Sequence, residues 1–301
     1  MNKLIEELRT EEVGIVLTDE PLANHTTWKI GGPADVFIQP KDLSGLVKAM
    51  RIVHKHQLPW RVIGKGSNLL VRDKGIRGVV FKLADGLDHL EFRDDVVHVG
   101  AGYSFIRLAV MAGKEGLTGL EFAGGIPGSV GGAVYMNAGA HGSDISRILK
   151  SAEVLSEAGE IKTYTNHDMQ YSYRHSILQE KGGIVLAAVF QLAHGNRKEI
   201  ADAMAKYKDR RRLTQPLQLP CCGSVFRNPL GNHSGRLIEE AGLKGYRIGD
   251  AQVSEKHANF IVNRGQATAA DVLSLIKHIQ KEIAERYQVQ LIPEVEVVGE
   301  G

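Results

Sequence analysis

The chain has 301 residues, with 37 Lys+Arg against 35 Asp+Glu and a formal charge of +2. That length suggests two domains of roughly 150 residues, and so balanced a charge gives no basis for a nucleic-acid partner, which needs a clustered basic face. No apolar run approaches the ~20 residues of a membrane helix, and the opening MNKLIEELRT lacks the apolar stretch of a signal peptide. The adjacent Cys221 and Cys222 build neither a disulfide framework nor a four-ligand zinc site, so a soluble, cytoplasmic protein without a metal is expected.

In chain order, Ala34–Gln39 and Trp60–Ile63 read as strands flanking a helix over 42–57. In that helix Leu43, Leu46, Val47, Met50 and Val53 recur at helical spacing. Val79–Leu83 and Val96–Val99 are β-branched runs bounded by Gly, Asp and Arg. Residues 104–116 predict a helix with Ser104 as N-cap and Gly116 as its stop. Ala152–Leu155, Ile161–Tyr164 and Ile184–Leu192 read as further strands. After residue 195 come a helix over 198–212 ending in Arg210-Arg211-Arg212, a short helix over 234–241, a strand over 259–262 and a long amphipathic helix over 268–287. Residues 294–298 close the chain as a strand, with Val295 and Val297 on one face and Glu294 and Glu296 on the other. The pattern is α+β, without a regular βαβ succession.

Glycine is the compositional excess, at 34 residues, about 11% where ~7% is usual. Seven lie in GGIPGSVGGAVYMNAGAHG, from Gly124 to Gly142. A second glycine loop, Gly64-Lys65-Gly66-Ser67-Asn68, follows the strand WRVI. No GxGxxG, GxxxxGK[ST] or HExxH occurs, which disfavours Rossmann, P-loop and zincin chemistry. Glycine loops let backbone N–H groups approach an anion closely, and two of them suit a diphosphate gripped from both sides. The alternative is a pair of tight turns with no ligand.

Six segments carry a resemblance: NHTTWKIGGPAD (24–35), GKGSNLL (64–70), residues 119–142, GSVFRNP (223–229), VSEKHANFIVN (253–263) and PEVEVVG (293–299). Together they resemble the UDP-N-acetylenolpyruvoylglucosamine reductase family, in its order and over nearly the whole chain. The resemblance implies an FAD-binding domain of the vanillyl-alcohol-oxidase (PCMH) type, residues 1–200 in two lobes with a break near 85–95. A smaller α+β substrate-binding domain, 201–301, follows, its last strand 291–298 packing back on the first lobe. It implies reduction of UDP-N-acetylglucosamine enolpyruvate to UDP-N-acetylmuramate in peptidoglycan precursor synthesis, with NADPH as reductant, non-covalent FAD and hydride delivery from flavin N5. A monomer is expected.

The implied FAD contacts are Gly64, Lys65, Gly66, Ser67 and Asn68 in one loop. In the other they are Gly124, Gly125, Ile126, Pro127, Gly128, Ser129, Gly131, Gly132, Ala133, Asn137 and Gly139. The implied reaction needs a group for the substrate carboxylate and a proton donor for the carbanion. Arg174, in YSYRHS, reads from spacing alone as a surface arginine; the family match makes it catalytic. Ser224, otherwise a strand-start serine, is implied as the proton donor, and Glu294, otherwise on a solvated face, as the third catalytic residue. Tyr173, Asn228 and His257 match substrate-contacting positions. Arg211 and Arg212 either cap a helix end or meet the UDP diphosphate. The cysteines read as small packing residues. The chain has Asp250 where the family commonly has glycine, and it resembles the shorter branch that lacks an inserted loop with a substrate-contacting Tyr. Two other readings stand beside the reductase: a flavin-dependent oxidase of small alcohols with the same fold, and a non-enzymatic UDP-sugar-binding protein.

Overall fold

The computed structural model describes residues 1–83 and 86–301. The chain divides into two compact units. Residues 1–18, 36–64 and 78–210 form one; residues 19–35, 65–77 and 211–301 form the other. The boundary expected near residue 200 lies close to the last crossing, at 210–211, but two early segments fold with the C-terminal part. The cause is apolar burial: Trp28, Ile30 and Leu70 share a core with Ile238, Val272, Ile276 and Ile283. Trp28 Nε1 donates to Ile261 O at 2.8 Å, and Asn263 Nδ2 donates to Trp28 O at 3.1 Å.

A sheet that lies mostly in the first unit orders its strands Gly14–Pro21, Pro33–Pro40, Ile76–Lys82, Trp60–Ile63. Helix Leu43–Lys55 buries Leu46, Met50 and Val53, and the Asp42 carboxylate caps it by accepting from Gly45 N–H at 2.7 Å. An amphipathic helix that sequence reading missed, Asn2–Thr10, buries Leu4 and Leu8. A second, antiparallel sheet runs Ile161–Thr165, Leu149–Leu155, Ile184–Gln191, Val96–Gly100, Leu90–Arg93. The first sheet thus ends at Lys82 and the second begins at Leu90; residue 85 of the expected lobe break lies outside the described residues. Helix Phe105–Glu115 has Ser104 as its N-cap and Gly116 at φ +78° as its C-cap, as its sequence dictates.

In the second unit, Arg247–Ile248, Ala251–Val253 and Ile261–Asn263 form a small antiparallel sheet. The strand expected at 259–262 starts later because residues 258–260 belong to the preceding loop, where Phe260 N–H bonds His257 O. Helices Ser234–Glu240 and Ala269–Tyr287 bury Leu237, Ile238, Val272, Leu275, Ile276, Ile279 and Ile283. The last strand, Glu296–Val298, pairs in parallel with Leu69–Val71. The expected two-residue alternation fails there: Val295 is 5% exposed and Val297 41%. The chain changes partner at this point, since Glu294 N–H bonds Val225 O while Glu296 N–H bonds Asn68 O, and the change breaks the period. No helix among the described residues is long and apolar enough to cross a membrane.

Helix Ala269–Tyr287 has a capping box of Thr268 and Asp271, and Asp73 adds a second cap from 196 residues away, accepting from Ala269 N–H at 2.7 Å and Ala270 N–H at 2.9 Å. Helix-cap loss costs ~1 kcal/mol. Asp73→Ala should therefore lower the urea midpoint by about that free energy divided by m, with m unchanged; an unaltered midpoint would remove Asp73 from the anchoring of this helix.

Candidate functional site

In the first unit the long glycine segment is a short helix between two loops, where sequence reading expected only loop. Residues Val130–Met136 are helical despite Gly131 and Gly132, with Ser129 as N-cap, its Oγ accepting from Gly132 N–H at 3.3 Å. Packing explains the glycines better than propensity does. A Cβ at Gly131 would stand 2.9 Å from Ala101 Cβ, and the helix start is sewn to residues 101–105 through Gly131 N–H to Ala101 O and Val130 N–H to Tyr103 O. A Cβ on Gly64 would come within 2.5 Å of Ser129 Oγ. The two glycine loops therefore meet at Gly64 and Ser129.

The far end of that helix fixes Arg174. Its last-turn carbonyls need partners outside the helix. Tyr171 OH donates to Val134 O at 3.1 Å and Ser176 Oγ to Tyr135 O at 2.6 Å. Gln179 Nε2 reaches both Tyr135 O and Arg174 O, at 3.3 and 3.2 Å. Burial pushes the Tyr171 phenol above its ordinary pKa, so it stays a donor. Asn137 closes the helix at φ +46°; its buried amide donates to Ser172 O at 2.9 Å and accepts from Ser146 N–H at 3.0 Å. Its side chain thus binds protein. Ser172 and His175 pair across a tight turn that has Tyr173 and Arg174 at its tip, with Arg174 at φ +57°. The Arg174 guanidinium donates to Gly139 O at 2.7 Å and lies over the exposed Tyr173 ring, 5.1 Å from its centroid. Sequence reading singled out Arg174 and Tyr173 but not Tyr171, Ser176 and Gln179; the orphaned carbonyls that explain these three belong to a helix it did not expect.

In the second unit, residues 225–227 pair with 292–294: Glu294 N–H bonds Val225 O at 2.7 Å and Arg227 N–H bonds Ile292 O at 2.9 Å. This brings Glu294 beside the segment that starts with Ser224; both residues are partly exposed. Asn68 Nδ2 donates to Glu294 O at 3.1 Å, so the first glycine loop is tied to the same backbone. Thr27 adds another tie, its N–H on Gly66 O at 3.1 Å and its hydroxyl on Cys221 O at 2.7 Å. Lys65 is exposed and Ser67 partly so.

Arg211 Nε donates to Gln215 Oε1 at 2.7 Å, while the exposed Arg212 has its carbonyl on Lys256 Nζ at 2.5 Å. Asn228 Oδ1 accepts from Ser234 N–H at 3.1 Å, which makes it a cap for the helix beginning there. His257 Nδ1 accepts from Asn259 N–H at 3.2 Å. The Asp250 carboxylate holds its turn by accepting from Gln266 N–H at 2.7 Å and pairing with Arg247, and these bonds lower its pKa. A side chain at this position is therefore an added brace.

The second glycine segment fits the implied dinucleotide. The exposed side of Gly132 has only Ser129 Oγ near the place of a Cβ, at 3.5 Å, so bare backbone faces outward where a phosphate or flat ring can approach.

Two family models match, one described as an FAD binding domain over residues 34–165, the other as a UDP-N-acetylenolpyruvoylglucosamine reductase C-terminal domain over 215–298. The chain is similar to proteins named UDP-N-acetylenolpyruvoylglucosamine reductase. The Anoxybacillus flavithermus protein is 60% identical over 300 residues, 99% of each chain. The Bacillus subtilis protein is 57% identical over 300 residues, again 99% of each. The solved reductase (MurB) of Thermus caldophilus superposes with a TM-score of 0.81 at 37% identity, covering 94% of this chain and 98% of that one. Berberine bridge enzyme from Eschscholzia californica shares the fold alone, at a TM-score of 0.50 and 14% identity over 64% of this chain and 44% of that one.

Burial, then Lys244, holds the His257 imidazole below its usual 6.5, which keeps Nδ1 an acceptor. The unfolded chain takes up this proton first as pH falls, so the His257 contribution to stability is full above about 6.5 and is lost as pH drops through the lower folded value. His141, lowered by burial and Arg210, acts in the same direction. Unfolding midpoints should fall as pH drops below about 6.5, and His257→Gln should make that fall shallower. Parallel pH profiles for the two proteins would exclude His257 as a contributor.

Proposed function

Because the chain belongs to the UDP-N-acetylenolpyruvoylglucosamine reductase family, we propose that it reduces UDP-N-acetylglucosamine enolpyruvate to UDP-N-acetylmuramate with FAD and NADPH. The reaction supplies a peptidoglycan precursor for cell-wall growth and division, and the enzyme acts as a cytoplasmic monomer. The observation that carries this reading is the shared backbone of Glu294, which bonds Val225, next to Ser224, and the Asn68 amide of the first glycine loop. Proton donor, second acid–base group and cofactor loop thereby belong to one hydrogen-bonded assembly.

Gly64 to Asn68 and the segment from Gly124 to Gly139 would hold FAD non-covalently, the group would supply the hydride-transfer chemistry between NADPH and the substrate alkene, and residues 211–301 would hold the UDP-sugar. Arg174, always charged and fork-shaped, receives the substrate carboxylate and the negative charge that spreads into it. Its tie to Gly139 sets the guanidinium against the second glycine loop. The Ser224 hydroxyl gives a proton to the carbon next to the one that gains hydride, and Glu294 is the acid–base group on the adjoining segment. Arg211, Arg212, Asn228, His257 and Tyr173 contact the nucleotide-sugar.

Anaerobic mixing tests this. Wild-type protein should bind FAD, bleach with NADPH and regain its yellow colour when the enolpyruvyl substrate is added. Ser224→Ala should bleach near the wild-type rate, because that step needs no protein proton donor. It should regain colour slower by ~10²–10⁴-fold. Recolouring at the wild-type rate would move the proton donor elsewhere.

Arg212→Ala should raise KM for the UDP-sugar far more than it lowers kcat, since a diphosphate contact far from the reacting carbons stabilises ground and transition states alike. An unchanged KM would leave the arginine cluster as a helix cap.

A further inference from the structure

We propose that Asn259 is a positioning residue for Ser224, holding the backbone that aims the Ser224 hydroxyl. The inference rests on the proposed role of Ser224 as proton donor.

Asn259 is 4% exposed, and its amide grips one residue at both ends. Its Oδ1 accepts from Phe226 N–H at 3.0 Å, and its Nδ2 donates to Phe226 O at 2.8 Å. The Asn259 carbonyl also accepts from Val225 N–H at 2.9 Å. Three hydrogen bonds therefore run from one loop residue to the two residues that follow Ser224. On its other side the same segment pairs with residues 292–294. Residues 254–260 are a loop, without a strand edge to offer, and the Asn259 amide replaces the missing ladder with a donor and an acceptor at the right spacing.

The residue before Ser224 gives no comparable support. Gly223 has φ +88°, and nothing lies within 4 Å of where its Cβ would be. Ser224 thus follows a loosely packed glycine, and the stretch after it sets its direction. The loop fixes Asn259 in turn: Ser254 Oγ accepts from Lys256 N–H and His257 N–H, and His257 Nδ1 accepts from Asn259 N–H. A proton donor must come within hydrogen-bond reach of its carbon, and a misplacement of about 1 Å costs on the order of 10²-fold.

The test compares wild-type holoenzyme with Asn259→Ser, which removes both amide bonds, and Asn259→Asp, which keeps the acceptor at similar size. Ser224→Ala and the Ser224→Ala/Asn259→Ser double variant complete the set. Hydrogen exchange at Val225 and Phe226 should speed up in both Asn259 variants. Bleaching by NADPH and KM for the UDP-sugar should stay near wild type, while recolouring slows by ~10- to 100-fold, less in Asn259→Asp. The double variant should be no slower than Ser224→Ala alone, because Asn259 acts through Ser224. Multiplied effects in the double variant, equal slowing of both steps, or loss of FAD would each overturn the inference and make Asn259 a general structural residue. Slow Ser224→Ala with wild-type recolouring in the Asn259 variants would overturn this inference alone. Recolouring at the wild-type rate in Ser224→Ala would overturn the proton-donor reading and this inference with it.

Discussion

The parallel pairing of Leu69–Val71 with Glu296–Val298 is the constraint on which the second unit and its part of the site depend. It joins residues more than 220 positions apart, so loop-closure entropy opposes it until the surrounding core forms. Burial of Trp28, Ile30 and Leu70 beside the C-terminal helices supplies the opposing stabilisation, at roughly 1.5–3 kcal/mol for each large apolar side chain fully removed from water. Asp73 then fastens the same segment to the start of helix Ala269–Tyr287. With the register set, Asn68 meets Glu294 and Glu296, and Glu294 meets Val225. The first glycine loop is also where the chain crosses from one unit to the other, between Gly64 and Lys65.

The first unit solves a different problem. Seven residues are a short helix, too short to be stable alone, and Gly131 and Gly132 weaken it further by about 1 kcal/mol each relative to alanine. Ser129 satisfies one end and Tyr171, Ser176 and Gln179 the other. The residues that finish the helix flank the turn that carries Arg174. Arg174 itself sits in the left-handed region, which non-glycine residues adopt at a cost, and Gln179 holds its carbonyl there. A helix that needs outside donors and a strained turn that needs anchoring are satisfied by the same bonds.

What the sequence made legible follows from the range of each interaction. Caps act within a few residues, and Asp42, Ser104, Gly116 and Thr268 stand where the helix limits require them. Apolar periodicity gave the long helices for the same reason. The glycine helix was hidden because its stability comes from Ala101, Tyr103 and Tyr171, remote in sequence. The early segments in the second unit were hidden because Trp28 and Leu70 look like ordinary core residues until their partners are known. The alternation read into 294–298 failed because it assumed one partner for a strand that has two. Arg174, Ser224 and Glu294 were singled out through their flanking motifs; the residues that hold Arg174, such as Gln179, lie outside those motifs.

Two cysteines stand immediately before the Gly223-Ser224 pair, and their protonation bears on which side chain can act there. Burial pushes the Cys222 thiol well above its ordinary pKa, and Cys221 is raised by burial against the opposing pull of the Gly223 backbone and Arg211. The thiolate, not the thiol, is the nucleophilic and redox-active form, so at neutral pH both behave as small apolar groups, and Cys222 packs in the core with Val225 and Phe226. Burial of the Cys222 sulfur therefore firms the base of the segment, next to the partly exposed Ser224 for which the proton-donor role is proposed.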